Sequence, residues 1–247
     1  MDSLILTRTE VLASIAKFGS YHDGMCSHYQ AIKERERYFR HFGVEPPIEI
    51  GKHDVWPGYA ATFIRRPTEA DVGDEAVPKR EAMPGLFGLI PHWSTDASIG
   101  RRTFNARSET VASKPSFRDA WKNANHCVVP LDAFFEPDWR SGKAIPTRIA
   151  RADGQPMGIA GLWSAWKSPK GLVRSFTILT INADQHPLMC QFHKPVDEKR
   201  MVVILPQDSY DHWLEATPET SMEFMRPFPA DQLQASVEIP AQPSPLA

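Results

Sequence analysis

An α+β fold, a single domain with an antiparallel β-barrel-like core and flanking helices, is what this 247-residue sequence predicts. Three observations carry that reading. Strand candidates outnumber helix candidates and do not alternate with them regularly, which separates the chain from doubly wound parallel sheets. The 22 prolines are spread along the chain and favour many short elements joined by turns over long helices. Their share is about 9%, where roughly 5% is usual. There are no internal repeats.

The first 24 residues read as an N-terminal extension. Leu4, Val11, Leu12, Ile15 and Phe18 recur at helical spacing and Thr7 with Glu10 forms a capping-box pattern, which predicts a short amphipathic helix. Acidic residues at 2 and 10, with no cationic start before an apolar block, speak against a secretory signal. Gly24 leads into Met25 and Cys26, and a methionine directly before a cysteine raises the question of whether the biological start is Met25. From there the sequence predicts a strand at 26–30, a helix at 31–42 ended by Gly43, and a strand at 60–64, where Thr, Phe and Ile favour extended backbone. Residues 67–84, carrying Pro, Gly and many acids, predict a surface loop. Strands are expected at 86–90, 127–131, 145–150, 157–163, 175–182 and 201–205, and helices at 116–124 and 207–215. Five prolines lie between Pro227 and Pro245, where apolar periodicity is lost, so the end of the chain reads as irregular and partly disordered. The expected organisation is an extension over 1–24, one domain over 25–226 and a Pro-rich tail over 227–247.

The composition, 42% hydrophobic and 23% charged, is that of an ordinary globular chain long enough to bury a core. With 28 Lys+Arg against 30 Asp+Glu the net charge is -2, so any nucleic-acid contact must come from a local basic strip. No uncharged apolar run approaches the roughly 18–20 residues needed to cross a bilayer. Three cysteines, at 26, 127 and 190, are too few and too scattered for a disulfide framework, and the expectation is a reducing, cytoplasmic setting.

Cys26 is the first candidate for chemistry. With Met25 as the start, methionine removal is expected because the next side chain is small, leaving Cys26 with a free α-amine beside its thiol. An aldehyde condenses with that amine to an imine, and the thiol then closes on the same carbon to give a thiazolidine, which an internal cysteine cannot form. Reference values of about 7.7–8.0 for the amine and about 8.5 for the thiol leave both nucleophiles accessible near neutral pH. The plainer alternative is a small buried hydrophobe at a strand start.

Phe104-Asn105-Ala106-Arg107-Ser108-Glu109-Thr110 follows Arg101 and Arg102. On extended backbone Asn105, Arg107 and Glu109 share one face, where Arg107 can grip a phosphate and Asn105 can orient a substrate oxygen or amine. A solvated polar strand face is the alternative. Phe134-Phe135-Glu136-Pro137 sets one carboxylate after two aromatics. Desolvation there would raise its pKa toward the range of a general acid–base, and a surface glutamate at a strand end is the other reading. His186, Cys190 and His193 have the spacing of a three-ligand zinc site, but there is no Cys-x-x-Cys pair or fourth ligand and Pro187 and Pro195 interrupt the segment, so no metal is expected. His193 instead reads as a loop histidine able to exchange a proton near pH 7. Trp93, just past a strand end, is either core or a platform for an exposed base.

In this order these pieces resemble the SRAP family (SOS-response-associated peptidase), also called abasic-site processing proteins, over roughly residues 25–215. The anchors are Met25-Cys26, Gly88-Leu89-Ile90-Pro91-His92-Trp93, Asn105 to Thr110, the apolar run ending in Glu136, Gly161-Leu162-Trp163, Thr180-Ile181-Asn182-Ala183, and His193 followed by Arg200-Met201. The resemblance implies a β-barrel-like core with a positively charged groove for single-stranded DNA. It further implies a thiazolidine crosslink between the N-terminal cysteine and the ring-opened aldehyde of an abasic site. Cys26 would be the nucleophile, Asn105 would position amine and sugar, Glu136 would shuttle protons, His193 would assist sugar ring opening, and Arg107 would hold phosphate. The peptidase label reflects self-removal of the residues before the cysteine.

The sequence departs from the family pattern in three places. Ser27-His28 stands where Gly-Arg is usual, so a phosphate-binding arginine is either absent or replaced by the weaker donor His28. Pro137 and Asp138 separate Glu136 from Trp139. The segment between His193 and Arg200 is longer than usual. The expected DNA-contacting set is Arg107, Trp93, His28, Arg101 and Arg102, the partner is single-stranded DNA bearing abasic sites, and the protein is expected to be a monomer without cofactor, metal or membrane. An N-terminal-nucleophile amidohydrolase or peptidase and a non-catalytic single-stranded DNA-binding module are the competing readings.

Overall fold

The computed structural model describes residues 27–49, 51–67 and 78–237. Cys26 and the helix expected in the extension lie outside the described residues. In chain order the first elements are β1 (Tyr29–Gln30), α1 (Arg35–Phe42), β2 (Asp54–Val55), β3 (Ala60–Arg65), β4 (Glu81–Phe87) and β5 (Asn105–Arg107). They are followed by α2 (Arg118–Lys122), β6 (His126–Leu131), β7 (Ala133–Asp138), β8 (Ile145–Arg151), β9 (Met157–Ser168) and β10 (Gly171–Asn182). The last are β11 (Arg200–Val202), β12 (Ile204–Leu205), α3 (Tyr210–Glu215) and β13 (Leu233–Val237).

The apolar, β-branched stretches at 157–168 and 171–182 build the longest hairpin, β9–β10, paired from Gly171–Ser168 to Ile178–Gly161. β10 also pairs β4, β4 pairs β3, β3 pairs β6, and β6 returns to β9, so five strands close into a barrel. All of these pairings are antiparallel except β4–β10. Closure removes the exposed sheet edges that an open sheet of this kind would present. Phe63, Phe87 and Phe176 fill the interior, with Phe176 ring centroids 5.5 and 5.6 Å from the other two. Each fully buried phenylalanine contributes about 1.5–3 kcal/mol of transfer free energy.

A second sheet, ordered β13-β8-β7-β1-β2, packs against the barrel, and Tyr29 of β1 meets Phe87 of β4 edge-on at 5.2 Å. α1 ends as expected at Gly43, which adopts φ 68° and donates to Phe39 O. α3 docks on β6 through Trp213, whose indole N–H donates to Cys127 O at 2.9 Å.

Three expectations are corrected. β4 begins at Glu81, inside the stretch expected as loop, because Arg65, 6% exposed, draws Glu81 into an ion pair at 2.7 Å at the end of the β3–β4 register. The apolar–polar sequence at 133–138 is a full strand rather than the end of one, and β7 runs on through Pro137 and Asp138. Residues 233–237, expected to be part of an irregular tail, form β13 on β8, with register from Leu233–Arg151 to Val237–Thr147. Backbone pairing makes this edge strand, whose residues after Leu233 are all exposed.

Candidate active site

β7 continues past its last rung with β1, Tyr29 opposite Phe134. The side left open is occupied by the loop after the 3-10 turn Met189–Gln191. There the His193 N–H donates to Pro137 O at 2.9 Å, and Asp138 forms a β-bridge with Phe192. Pro137 fits this place because it faces Pro146 across the β7–β8 pair, so two residues without an N–H share one rung, while its carbonyl remains free to accept.

This clamp sets imidazole against carboxylate. His193 Nε2 lies 3.3 Å from Glu136 Oε2, and the side chains are 8% and 1% exposed. The Nε2 atom is buried and, among the described residues, makes no hydrogen bond. Burial, helped by the charge of Lys199, lowers the His193 pKa below the usual value of about 6.5 and so favours the neutral ring. The residue sits at φ 63°, a left-handed conformation that costs a β-carbon-bearing residue roughly 1–3 kcal/mol. The hydrogen bond that its backbone N–H donates to Pro137 O and the Lys199 ammonium, which donates to His193 O at 3.3 Å and to Lys194 O, hold it there.

On the barrel side β5 lies parallel to β10, with Asn105 opposite Ile178 and Arg107 opposite Thr180. Ala106 between them is fully buried, so Asn105 and Arg107 share the opposite face, as strand alternation requires. Arg107 pairs with Glu198 at 2.9 Å. Glu198 also accepts from Arg200 at 2.8 Å and from Asn182 at 3.1 Å. Arg200, 1% exposed, is held at both terminal nitrogens by Glu109, at 2.8 and 2.9 Å, and donates to Thr180 O at 2.8 Å. Burial is the largest single influence and acts to raise the Glu109 and Glu198 carboxyls, but the Arg200 hydrogen bond, the other hydrogen bonds and the neighbouring arginine charges together outweigh it, and both pKa values are lowered. The long segment between His193 and Arg200 thus has a structural use: one end touches Glu136 and the other, through Glu198, touches Arg107. Sequence reasoning gave Glu198 no role and Arg200 none beyond a motif position. An arginine opening the apolar run Arg200-Met201-Val202 is the signal that a carboxylate partner is required.

The remaining candidates lie around this frame. Trp93 is 47% exposed in a turn fixed by Trp166, whose indole donates to Ser94 O at 2.6 Å. Arg101 and Arg102 are exposed at the end of the 3-10 helix Ala97–Arg102 that leads into β5. Gly88 makes that loop possible: it has φ 114°, and a β-carbon there would lie 2.0 Å from Gly100 O. The His28 ring is sandwiched between Trp56 and Phe135, 4.2 Å from each, and its Nε2 is 2.9 Å from Asp54 Oδ1. His28 is therefore engaged with protein groups on both ring faces and at Nε2. His186 is tied to the backbone, with Nε2 2.7 Å from Phe228 O and Nδ1 accepting from Leu188 and Met189 N–H. Cys190 lies 3.8 Å from Pro187 O, and no metal-holding group of His, Cys, Asp or Glu exists among the described residues. A cavity of about 290 Å³ lies elsewhere, lined by Lys33, Arg37, Asp132, Arg148 and Arg151 among others, and includes none of the predicted site residues.

A closed barrel whose companion sheet holds a buried carboxylate against a neutral imidazole marks the molecule as an α+β barrel protein with a candidate acid–base site. The family model described as SOS response associated peptidase (SRAP) matches residues 25–239, and the chain belongs to that family. It is 33% identical over 153 residues to the abasic site processing protein YoqW of Bacillus subtilis, covering 60% of this chain and 65% of that one. It is 25% identical over 224 residues to the abasic site processing protein HMCES of Gallus gallus, covering 80% of this chain and 63% of that one. In both cases the match spans less than two thirds of the relative's own length. A crystal structure of a Bordetella bronchiseptica protein superposes with a TM-score of 0.79 at 47% identity, covering 87% of this chain and all of that one. A Bacteroides thetaiotaomicron protein shares the fold at a TM-score of 0.70 and 21% identity, covering 87% of this chain and 93% of that one.

Proposed function

We propose that the protein is a DNA-processing enzyme that captures abasic sites in single-stranded DNA as a thiazolidine on Cys26, after the residues before Cys26 are removed. The observation that carries this reading is the β1–β7 register. β1 runs antiparallel to β7, and followed backwards from Tyr29 opposite Phe134, through Phe135 N–H donating to His28 O at 3.0 Å, it leads toward Glu136. The chain therefore enters beside the one buried carboxylate–imidazole contact among the described residues. The names of YoqW and HMCES support abasic-site processing as the activity.

In this reading the Cys26 amine adds to the sugar aldehyde, and the carbinolamine loses water to form the imine. The thiol then adds across C=N: the S–C bond forms, the thiol proton leaves and the nitrogen gains one. Glu136 moves these protons, giving one to the departing hydroxyl and accepting one from the thiol. His193, neutral and hydrogen-bond-ready at Nε2, assists opening of the sugar ring. Asn105 orients amine and sugar, Arg107 holds the adjoining phosphate, and Trp93, Arg101, Arg102 and His28 lie along the strand. The same reading includes self-removal of the leading residues and a monomeric cytoplasmic protein; no helix among the described residues is long and apolar enough to cross a membrane. The working unit begins at Cys26 and extends through β13, whose pairing with β8 makes it part of the second sheet.

Protein beginning at Cys26, incubated with an oligonucleotide carrying one abasic site, is expected to give a heat-stable adduct. Cys26→Ala and protein retaining the leading residues are expected to give none. Absence of an adduct from correctly processed protein rejects the proposal.

A further inference from the structure

Trp56 is 38% exposed, yet it is not a loose surface side chain. Its indole lies flat on the His28 ring at 4.2 Å with 6° between planes, and His28 lies on Phe135 at 4.2 Å and 11°. Asp54, two residues before Trp56, fixes the middle ring through His28 Nε2 at 2.9 Å, and that contact engages the carboxylate. The result is a ladder of three parallel rings with a buried floor, Phe135, and an open top, Trp56. An aromatic face presented in this way is extended most naturally by another planar ring.

The ladder is built on residues that neighbour the proposed chemistry along the chain. His28 is two residues from Cys26, a separation of at most about 7 Å. Phe135 directly precedes Glu136, whose side chain leaves β7 on the opposite face. An abasic nucleotide has no base, so the neighbouring base in the strand has lost a stacking partner on that side. A rigid indole near the lesion can replace the missing partner, and base–aromatic stacking is tolerant of sequence. We infer that Trp56 is the stacking platform for the nucleobase next to the abasic site, with His28 and Asp54 as its positioning residues. This rests on the proposed function above and assigns it a subsite.

The test uses Cys26-terminated protein and an oligonucleotide in which a tetrahydrofuran analogue, which has no aldehyde, stands for the abasic site. Binding is read by fluorescence anisotropy with purine, pyrimidine or no base at the flanking positions. Trp56→Ala and the volume-filling Trp56→Leu are expected to weaken binding about 10-fold when purines flank the lesion. The loss should be smaller with pyrimidines and absent with no flanking base, and Trp56→Phe should retain most of the affinity. Wild-type affinity in Trp56→Leu, or an equal loss on the strand without flanking bases, overturns the inference. A parallel reaction of wild-type protein with a true abasic site reports separately on the crosslink, so failure of that reading is distinguishable from failure of the platform.

Discussion

Glu136 and His193 acquire their relation from two backbone contacts, the His193 amide on Pro137 and the Phe192–Asp138 bridge. Replacing Glu136 by Gln keeps the shape and removes the base, and should slow adduct formation by about 10²-fold or more. A rate constant within a few-fold of wild type would remove Glu136 from the chemistry. The lowered His193 pKa fixes the sign of its pH dependence: the ring stays neutral to a lower pH than an ordinary histidine, so its own acid limb lies below pH 6.5, beneath the decline that protonation of the Cys26 amine sets from about pH 8 downward. In a rate–pH profile, His193→Gln should lose that lower limb and keep the upper one. Sequence reasoning found both residues but could not choose between a buried and a surface Glu136. The answer depends on β7 persisting through Pro137 and Asp138, which composition disfavours and only the facing Pro146 and the incoming loop explain.

At the scale of elements, the loop carrying Trp93, Arg101 and Arg102 depends on the contact between Gly88 and Gly100. Gly88→Ala places a β-carbon against a backbone oxygen at a positive φ, and should cost about 3 kcal/mol or more in chemical denaturation. Stability within 1 kcal/mol of wild type would show that the loop can open without loss. Arg200 links β11 to β10 and to the carboxylates that frame Arg107. Arg200→Lys keeps the charge but not the fork that Glu109 grips, and a loss of roughly 1–3 kcal/mol is expected, read from the shift in denaturation midpoint. The strands of the β9–β10 hairpin were legible because their apolar, β-branched runs are long. β13 was not, since its residues after Leu233 are exposed and its order comes from β8. The start of β4 was hidden for a related reason, because an ion pair with a buried arginine outweighs the polar composition around Glu81.

For the whole molecule, acid should be more damaging than alkali within the physiological range. Burial lowers the pKa of His126 to about 4, and burial with the charges of Arg151 and Arg37 lowers that of His41 to about 4. The unfolded chain takes up protons at about 6.5, so below that value it binds more protons than the native state and stability falls as pH falls. Each of the two histidines contributes up to about 3 kcal/mol that is present above pH 6.5 and lost progressively toward pH 4. Melting temperatures measured between pH 7 and 4 should decline, and His126→Gln should flatten the curve; a flat wild-type curve would contradict the assignment. The near-neutral charge of -2 is compatible with the proposed DNA substrate because the proposed bond to DNA is covalent and does not depend on bulk positive charge. In the proposed function, the β1–β7 pairing contributes by leading the chain toward Glu136 and His193. Intact-mass and peptide analysis of the adduct between Cys26-terminated protein and an abasic-site oligonucleotide tests this most directly. The account predicts a species equal to protein plus DNA minus one water, with the DNA on the peptide beginning at Cys26 and the Cys26 thiol no longer alkylatable. An adduct carried by a lysine, or one that leaves the Cys26 thiol free, would contradict it.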